Sequence, residues 1–218
     1  MEPPLIPGRW AQAIRREWRL RQLKDPAYAF LFEPAPADEW VSLACATSGH
    51  DLARDQILSV CALRVSDQRV LASERLELLL KPTRPVPPEA LRTHRLREQE
   101  LAQGLEAKEA MQRLLCFIGS RPLLGYYLEF DLALLEQLIR PLIGVGLPQP
   151  AVEVSALYHE WQFRQLPPYQ QQGDAAIDLR YASMLEQLGL PVREAPDPLD
   201  RAVLTALAFI KLRQLQGG

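Results

Sequence analysis

Trp40 to Val65 reads WVSLACATSGHDLARDQILSVCALRV, and its parsing decides the fold. Val41, Leu43 and Cys45 alternate with Ser42, Ala44 and Ala46, the period of two that marks a strand and puts Ala44 and Ala46 on one face. Gly49 and His50 break the run, and Ile57 to Val65 resumes a β-rich pattern. Asp67-Gln68 supplies a hairpin turn into a third strand, Arg69 to Leu80, carried by Val70, Ala72, Leu76, Leu78 and Leu80. Three antiparallel strands in succession open a mixed sheet.

Downstream, the pattern alternates between helix and strand. Short helical turns are expected at Glu89 to His94 and Arg97 to Gln103, and a 3.6-residue spacing predicts a helix over Leu105 to Ile118. Leu123-Leu124-Gly125 reads as a short buried strand, followed by a helix from Leu132 to Leu142. Ala151 to Leu157 is strand-like, Leu179 to Leu188 helical, and a last helix runs from Val203 to Leu215. The sum is an α/β domain over 37–218 that opens on a mixed sheet. Residues 1–36 read as an extension: a basic amphipathic helix from Arg9 to Lys24, stopped at Asp25-Pro26, then a linker at Glu33-Pro34-Ala35-Pro36. That helix suits a phosphate, a membrane surface or an acidic partner, or simply packs its tryptophans on its own domain with the arginines solvated.

Three short stretches carry a family resemblance. Ala44-Cys45-Ala46-Thr47-Ser48-Gly49 resembles the first motif of the DEDDh 3′–5′ exonucleases, the DnaQ-like group (DNA polymerase III epsilon type) of the ribonuclease H-like fold, which usually reads Asp-x-Glu-Thr-Thr-Gly. Tyr126-Tyr127-Leu128-Glu129-Phe130-Asp131 is similar to the second motif, His-Asn-x-x-Phe-Asp, whose final Asp is a metal ligand. Pro196-Asp197-Pro198-Leu199-Asp200-Arg201-Ala202 resembles the third, His-x-Ala-Leu-x-Asp-Ala, with a general-base His and a metal-ligand Asp. The resemblance implies an α/β fold with a ribonuclease H-like mixed central sheet and helices on both faces, and it places Ala44, Ala46, Pro196 and Arg201 where four of the five functional groups belong. Asp131 is the one that remains, although alone it reads equally well as an N-cap of the following helix. His94 lies in a His-Arg-Leu stretch like the family's His-Gly-Ile/Leu element and is given no role.

The family's chemistry uses two divalent ions about 3.5–4 Å apart, held by converging oxygen ligands, and a base that titrates near neutrality. Methyl groups at 44 and 46 and a proline at 196 offer none of this. A fixed Arg201 cation at about 5 Å from a divalent ion costs roughly 6–7 kcal/mol at an effective dielectric near 20. The register suggests instead that Arg201 pairs with Asp131. Asp197 and Asp200 stay acidic but sit one residue out of register, about 100° around a helix, and read as charge at a helix N-terminus.

The expectation is therefore a catalytically inactive exonuclease-fold protein that binds a protein partner, or a nucleotide or single-stranded nucleic-acid end. Its ligand-binding residues would be Thr47, Ser48, Tyr126, Tyr127, Phe130, Asp131 and Arg201, with no metal or only a weak one at Asp131. The alternative is a working Mg2+- or Mn2+-dependent exonuclease that recruits Glu129, Glu153, Asp197 or Asp200. Ala44 and Ala46 are also what a designer would choose to silence such a site, but Pro196 and Arg201 serve no such purpose. Candidate contact surfaces are the basic helix and the Gln170 to Gln172 loop. A net charge of −2 over 218 residues makes the molecule as a whole no trap for nucleic acid, so any basic surface is local. Hydrophobic content of 48% supports a real core. Three cysteines in apolar runs, without metal spacing, read as buried free thiols of a cytoplasmic protein. No apolar run is long enough for a membrane span.

Overall fold

The computed structural model describes residues 16–167, 177–194 and 197–216. Its strands are β1 (Glu39–Thr47), β2 (Ile57–Ser66), β3 (Arg69–Leu79), β4 (Leu123–Gly125) and β5 (Ala151–Glu153). The helices are α1 (Pro88–His94), α2 (Glu98–Ala102), α3 (Ala107–Ile118), α4 (Leu128–Ile143), α5 (Val154–Gln165), α6 (Tyr181–Gln187) and α7 (Pro198–Gln216). The sheet runs β3-β2-β1-β4-β5, with β1–β2 and β2–β3 antiparallel and β1–β4 and β4–β5 parallel. This is the mixed α/β sheet expected from the ribonuclease H-like resemblance.

β1 is central and buried from Val41 onward. Its Val41, Leu43 and Cys45 face a core that includes Leu114 and Leu115 of α3 and Leu135 and Ile139 of α4. Ala44, on the opposite face, joins Leu204, Ala206 and Ala208 of α7. Ser42 on that face is also buried, and its hydroxyl donates to the Ala202 carbonyl at 2.7 Å, tying strand to helix. Ala46 packs with Leu58, Ala90 and Leu101 under α1 and α2. At the N-terminal end, residues 16–21 are helical and Pro26–Phe32 forms a 3-10 helix that buries Tyr28, Leu31 and Phe32 in the first of these cores.

The expected element limits shift in three places, each for a capping reason. α4 begins at Leu128 rather than Leu132 because the Glu153 carboxylate accepts from the N–H groups of Tyr127 (3.0 Å) and Leu128 (2.8 Å). β5 stops at Glu153, where the strand-like run was expected to reach Leu157, because the same carboxylate accepts from the N–H of Ser155 and starts α5. α7 begins at Pro198, five residues early, where proline fits the first turn and Asp197 accepts from the Asp200 N–H at 2.7 Å. Cys45 and Cys61 are buried free thiols, but Cys116 is exposed. It lies in an apolar run, yet the buried side of α3 is set by Met111, Leu114, Leu115 and Ile118, and Cys116 falls off that side. No helix among the described residues is long and apolar enough to cross a membrane.

Candidate functional site

β4 pairs with β1 only at Val41–Leu123 and Ser42–Leu124. Past that point β1 continues without a neighbour on this edge, and its peptide groups need other partners. Cys45 finds two. Its N–H donates to Asp131 Oδ2 at 3.0 Å, and its carbonyl accepts from Arg201 Nη1 at 3.3 Å. One carboxylate from α4 and one guanidinium from α7 thus converge on the two peptide groups that flank Cys45 in β1, with Ala44 and Ala46 on either side of it in sequence.

The expected Asp131–Arg201 ion pair is not made. Arg201 bonds the Cys45 carbonyl instead, although its charge still acts on Asp131 through space. Nor is Asp131 an N-cap: it lies inside the first turn of α4, and its side chain leaves the helix for β1. Burial pushes its carboxyl up to about 6, against the lowering by Arg201 and the Cys45 N–H and with a further rise from Glu153. Arg201 itself is held from behind: its N–H donates to the Asp197 carbonyl, and Tyr181 donates its hydroxyl proton to the Arg201 carbonyl at 3.0 Å.

His94, given no role from sequence, belongs to this neighbourhood. It bonds the Thr47 backbone, and burial, then Arg201 and His50, hold its pKa below the ordinary histidine value against that bond. The signal was the His-Arg-Leu stretch, whose histidine lies at the C-terminal end of α1. The His50 ring approaches Phe130 at 6.0 Å between centroids. Tyr126 packs between Tyr127 (4.6 Å) and Tyr181 (4.7 Å) and donates to the Leu179 carbonyl. Tyr127 is 61% exposed and has φ of 51°, a left-handed backbone that a bulky residue adopts rarely.

Two other expected ligand contacts are spent internally. The Thr47 hydroxyl donates to the Gly49 carbonyl, and the Ser48 hydroxyl donates to Asp55 while accepting from the Gln56 N–H. Both residues are buried and shape the turn after β1. Pro196, the Gln170 to Gln172 run and the Arg9 to Arg15 part of the basic helix lie outside the described residues.

A family model for exonucleases, RNase_T, matches residues 45–159, just over half of the chain. The chain belongs to the RNase_T exonuclease family. Among solved structures, this RNase_T chain is similar to Escherichia coli exonuclease I in complex with a dA16 oligonucleotide, at 14% identity and a TM-score of 0.67 over 83% of this chain and 42% of the other. It is similar to exonuclease I from Methylocaldum szegediense at 17% identity and a TM-score of 0.64, covering 82% and 41% of the two chains. Exonuclease X in complex with 5′-overhanging duplex DNA aligns over 82% of this chain and 93% of its own, at 17% identity and a TM-score of 0.59. At these identities the likeness establishes the DnaQ-like exonuclease fold. The matched region spans less than half the length of exonuclease I. No curated protein sequence matches the chain.

The fold family implies a pair of divalent ions, and the donors gathered around Cys45 in this RNase_T domain do not fit them. Ala44 and Ala46 supply no oxygen, and Arg201 brings a positive charge to the backbone between them. Asp131 is the single carboxylate there, and no group of three or more His, Cys, Asp and Glu side chains among the described residues is placed to hold a metal. The other acids are engaged or turned away. Glu153 joins two helix starts, Asp197 caps α7, Asp200 pairs with Arg193 at 2.8 Å, and Glu129 is on the exposed side of α4.

Proposed function

We propose that this chain is a non-catalytic member of its family that holds a nucleotide or a single-stranded nucleic-acid end at the Asp131–Arg201 site, the cleft of this reading, without cutting it. The observation that carries the reading is the Arg201 guanidinium on the Cys45 carbonyl, a fixed cation between Ala44 and Ala46, which offer only methyl groups. A guanidinium bonded to one carbonyl keeps further N–H groups for phosphate oxygens. The exposed Tyr127 ring, at the start of the helix that carries Asp131, offers a face on which a base can stack. The oligonucleotide and duplex DNA held by the structural relatives support a nucleic-acid ligand for this fold.

The alternative, a metal-dependent exonuclease with relocated ligands, requires Glu129, Glu153, Asp197 or Asp200 to abandon their positions. One comparison separates the two readings. Wild type, Asp131→Ala and Arg201→Ala are incubated with labelled single-stranded DNA in Mg2+ or Mn2+, and binding is followed in parallel by anisotropy. The expected result is no metal-dependent nucleotide release by any of the three, with binding at least about tenfold weaker in Arg201→Ala. Nucleotide release by wild type that Asp131→Ala abolishes would overturn the proposal.

A further inference from the structure

At the other end of the parallel strands, away from the cleft, a cavity of about 670 Å3 lies between the N-terminal helical segment and the loop that enters β5. That volume is in the range of sites that enclose a small ligand or a few side chains. Its apolar surface comes from Leu31, Phe32, Pro148 and Pro150, and Trp18 lines it while remaining 61% exposed. Arg16 and Arg19 supply two cations against a single acid, Glu33. Arg16 is anchored through Nε to the Phe32 carbonyl at 2.6 Å, whereas Arg19 has no side-chain hydrogen bond or ion pair among the described residues.

The wall is preorganised. Gln149, itself buried, donates through Nε2 to the carbonyls of Leu31 (3.2 Å) and Gly119 (2.6 Å), which holds the 3-10 helix against the end of α3. Its Oε1 is buried without a donor, an unmet acceptor in an otherwise satisfied wall.

We infer that this pocket docks a short segment of a partner protein that carries one large apolar side chain flanked by carboxylates. An exposed tryptophan and arginines around an apolar floor are the residue types that dominate protein–protein binding energy. The net positive rim selects acidic neighbours and rejects basic ones. A nucleic-acid strand suits the pocket less, since Glu33 lies in its lining and the floor is aliphatic and proline-walled rather than a row of stacking faces. The inference does not depend on what occupies the cleft.

The test uses the full chain and fluorescein-labelled peptides of about nine residues, with Trp, Phe, Leu or Met at the centre and Asp and Glu around it. Matched peptides carry Lys in place of the acids or Ser in place of the apolar centre. The expected result is saturable anisotropy for acidic peptides with an apolar centre, weakened at least about tenfold by Arg19→Glu and by Trp18→Ala, with thermal melting unchanged in both variants. The Lys-flanked peptides should gain affinity for Arg19→Glu. Four results would overturn the inference: no saturation by any acidic peptide, equal binding of the Ser-centred or Lys-flanked set, displacement of the peptide by a thymidine oligonucleotide, or a dimer in sedimentation that Trp18→Ala dissolves.

Discussion

At Asp131 the chain holds a carboxylate in a place that disfavours its charge. The side chain is 5% exposed, and its pKa is pushed up to about 6, above the ordinary value near 4. The folded state therefore takes up this proton more readily than the unfolded one. The stability associated with it is complete below pH 4 and is lost as the pH rises through 6. Asp131→Asn keeps an oxygen for the Cys45 N–H and removes the buried charge, so it should stabilise the protein by about 1–3 kcal/mol at pH 8 and by almost nothing at pH 4. Urea unfolding at the two pH values measures this, and an asparagine variant less stable at pH 8 would contradict it. The same titration affects the cleft. As Asp131 loses its negative charge, anion binding should strengthen from pH 8 towards pH 5.5, which sulfate titration by calorimetry would detect. Reading residue types in register was enough to bring Asp131 and Arg201 into one site. Their meeting at Cys45 was not legible, because which peptide groups of β1 lack a partner depends on where β4 ends.

Among the elements, β1 to β3 and α3 were legible because their signal is local: a period of two, a two-residue turn, and an apolar stripe every three to four residues. The starts of α4 and α5 were not, since one side chain, Glu153, serves both. It lies 25 residues after Leu128 in sequence, and no window around α4 contains it. With two helix starts depending on it, Glu153→Ala should cost about 2 kcal/mol, twice an ordinary cap, and Glu153→Gln about half of that. Denaturant melts give both numbers, and a loss of only a few tenths in the alanine variant would show that water replaces the carboxylate. His94 was missed for a related reason. A lone histidine at a helix end carries no sign of the strand that α1 packs beside, and the bond to Thr47 exists only in the assembled sheet.

For the whole molecule, a net charge of −2 sets how a nucleic acid is met. Affinity at the cleft should come from one or two phosphate contacts near Arg201 rather than from a basic surface. The logarithm of the binding constant should then fall with the logarithm of salt at about −0.7 per phosphate contacted, a total no steeper than about −1.5. A steep slope in an anisotropy salt series would point to a different surface. The three sulfurs offer a separate way to follow the whole fold. Cys116 stands in solvent on α3, while Cys45 and Cys61 are buried on the paired strands β1 and β2, with burial pushing the Cys61 thiol up to about 12 and raising that of Cys45 as well. A maleimide added to the native protein should consequently alkylate a single site at once, and the remaining two only as fast as the packing over the faces of the sheet opens. Counting adducts by mass over time turns the chain into its own clock for opening at the centre of the sheet, with no engineered label required.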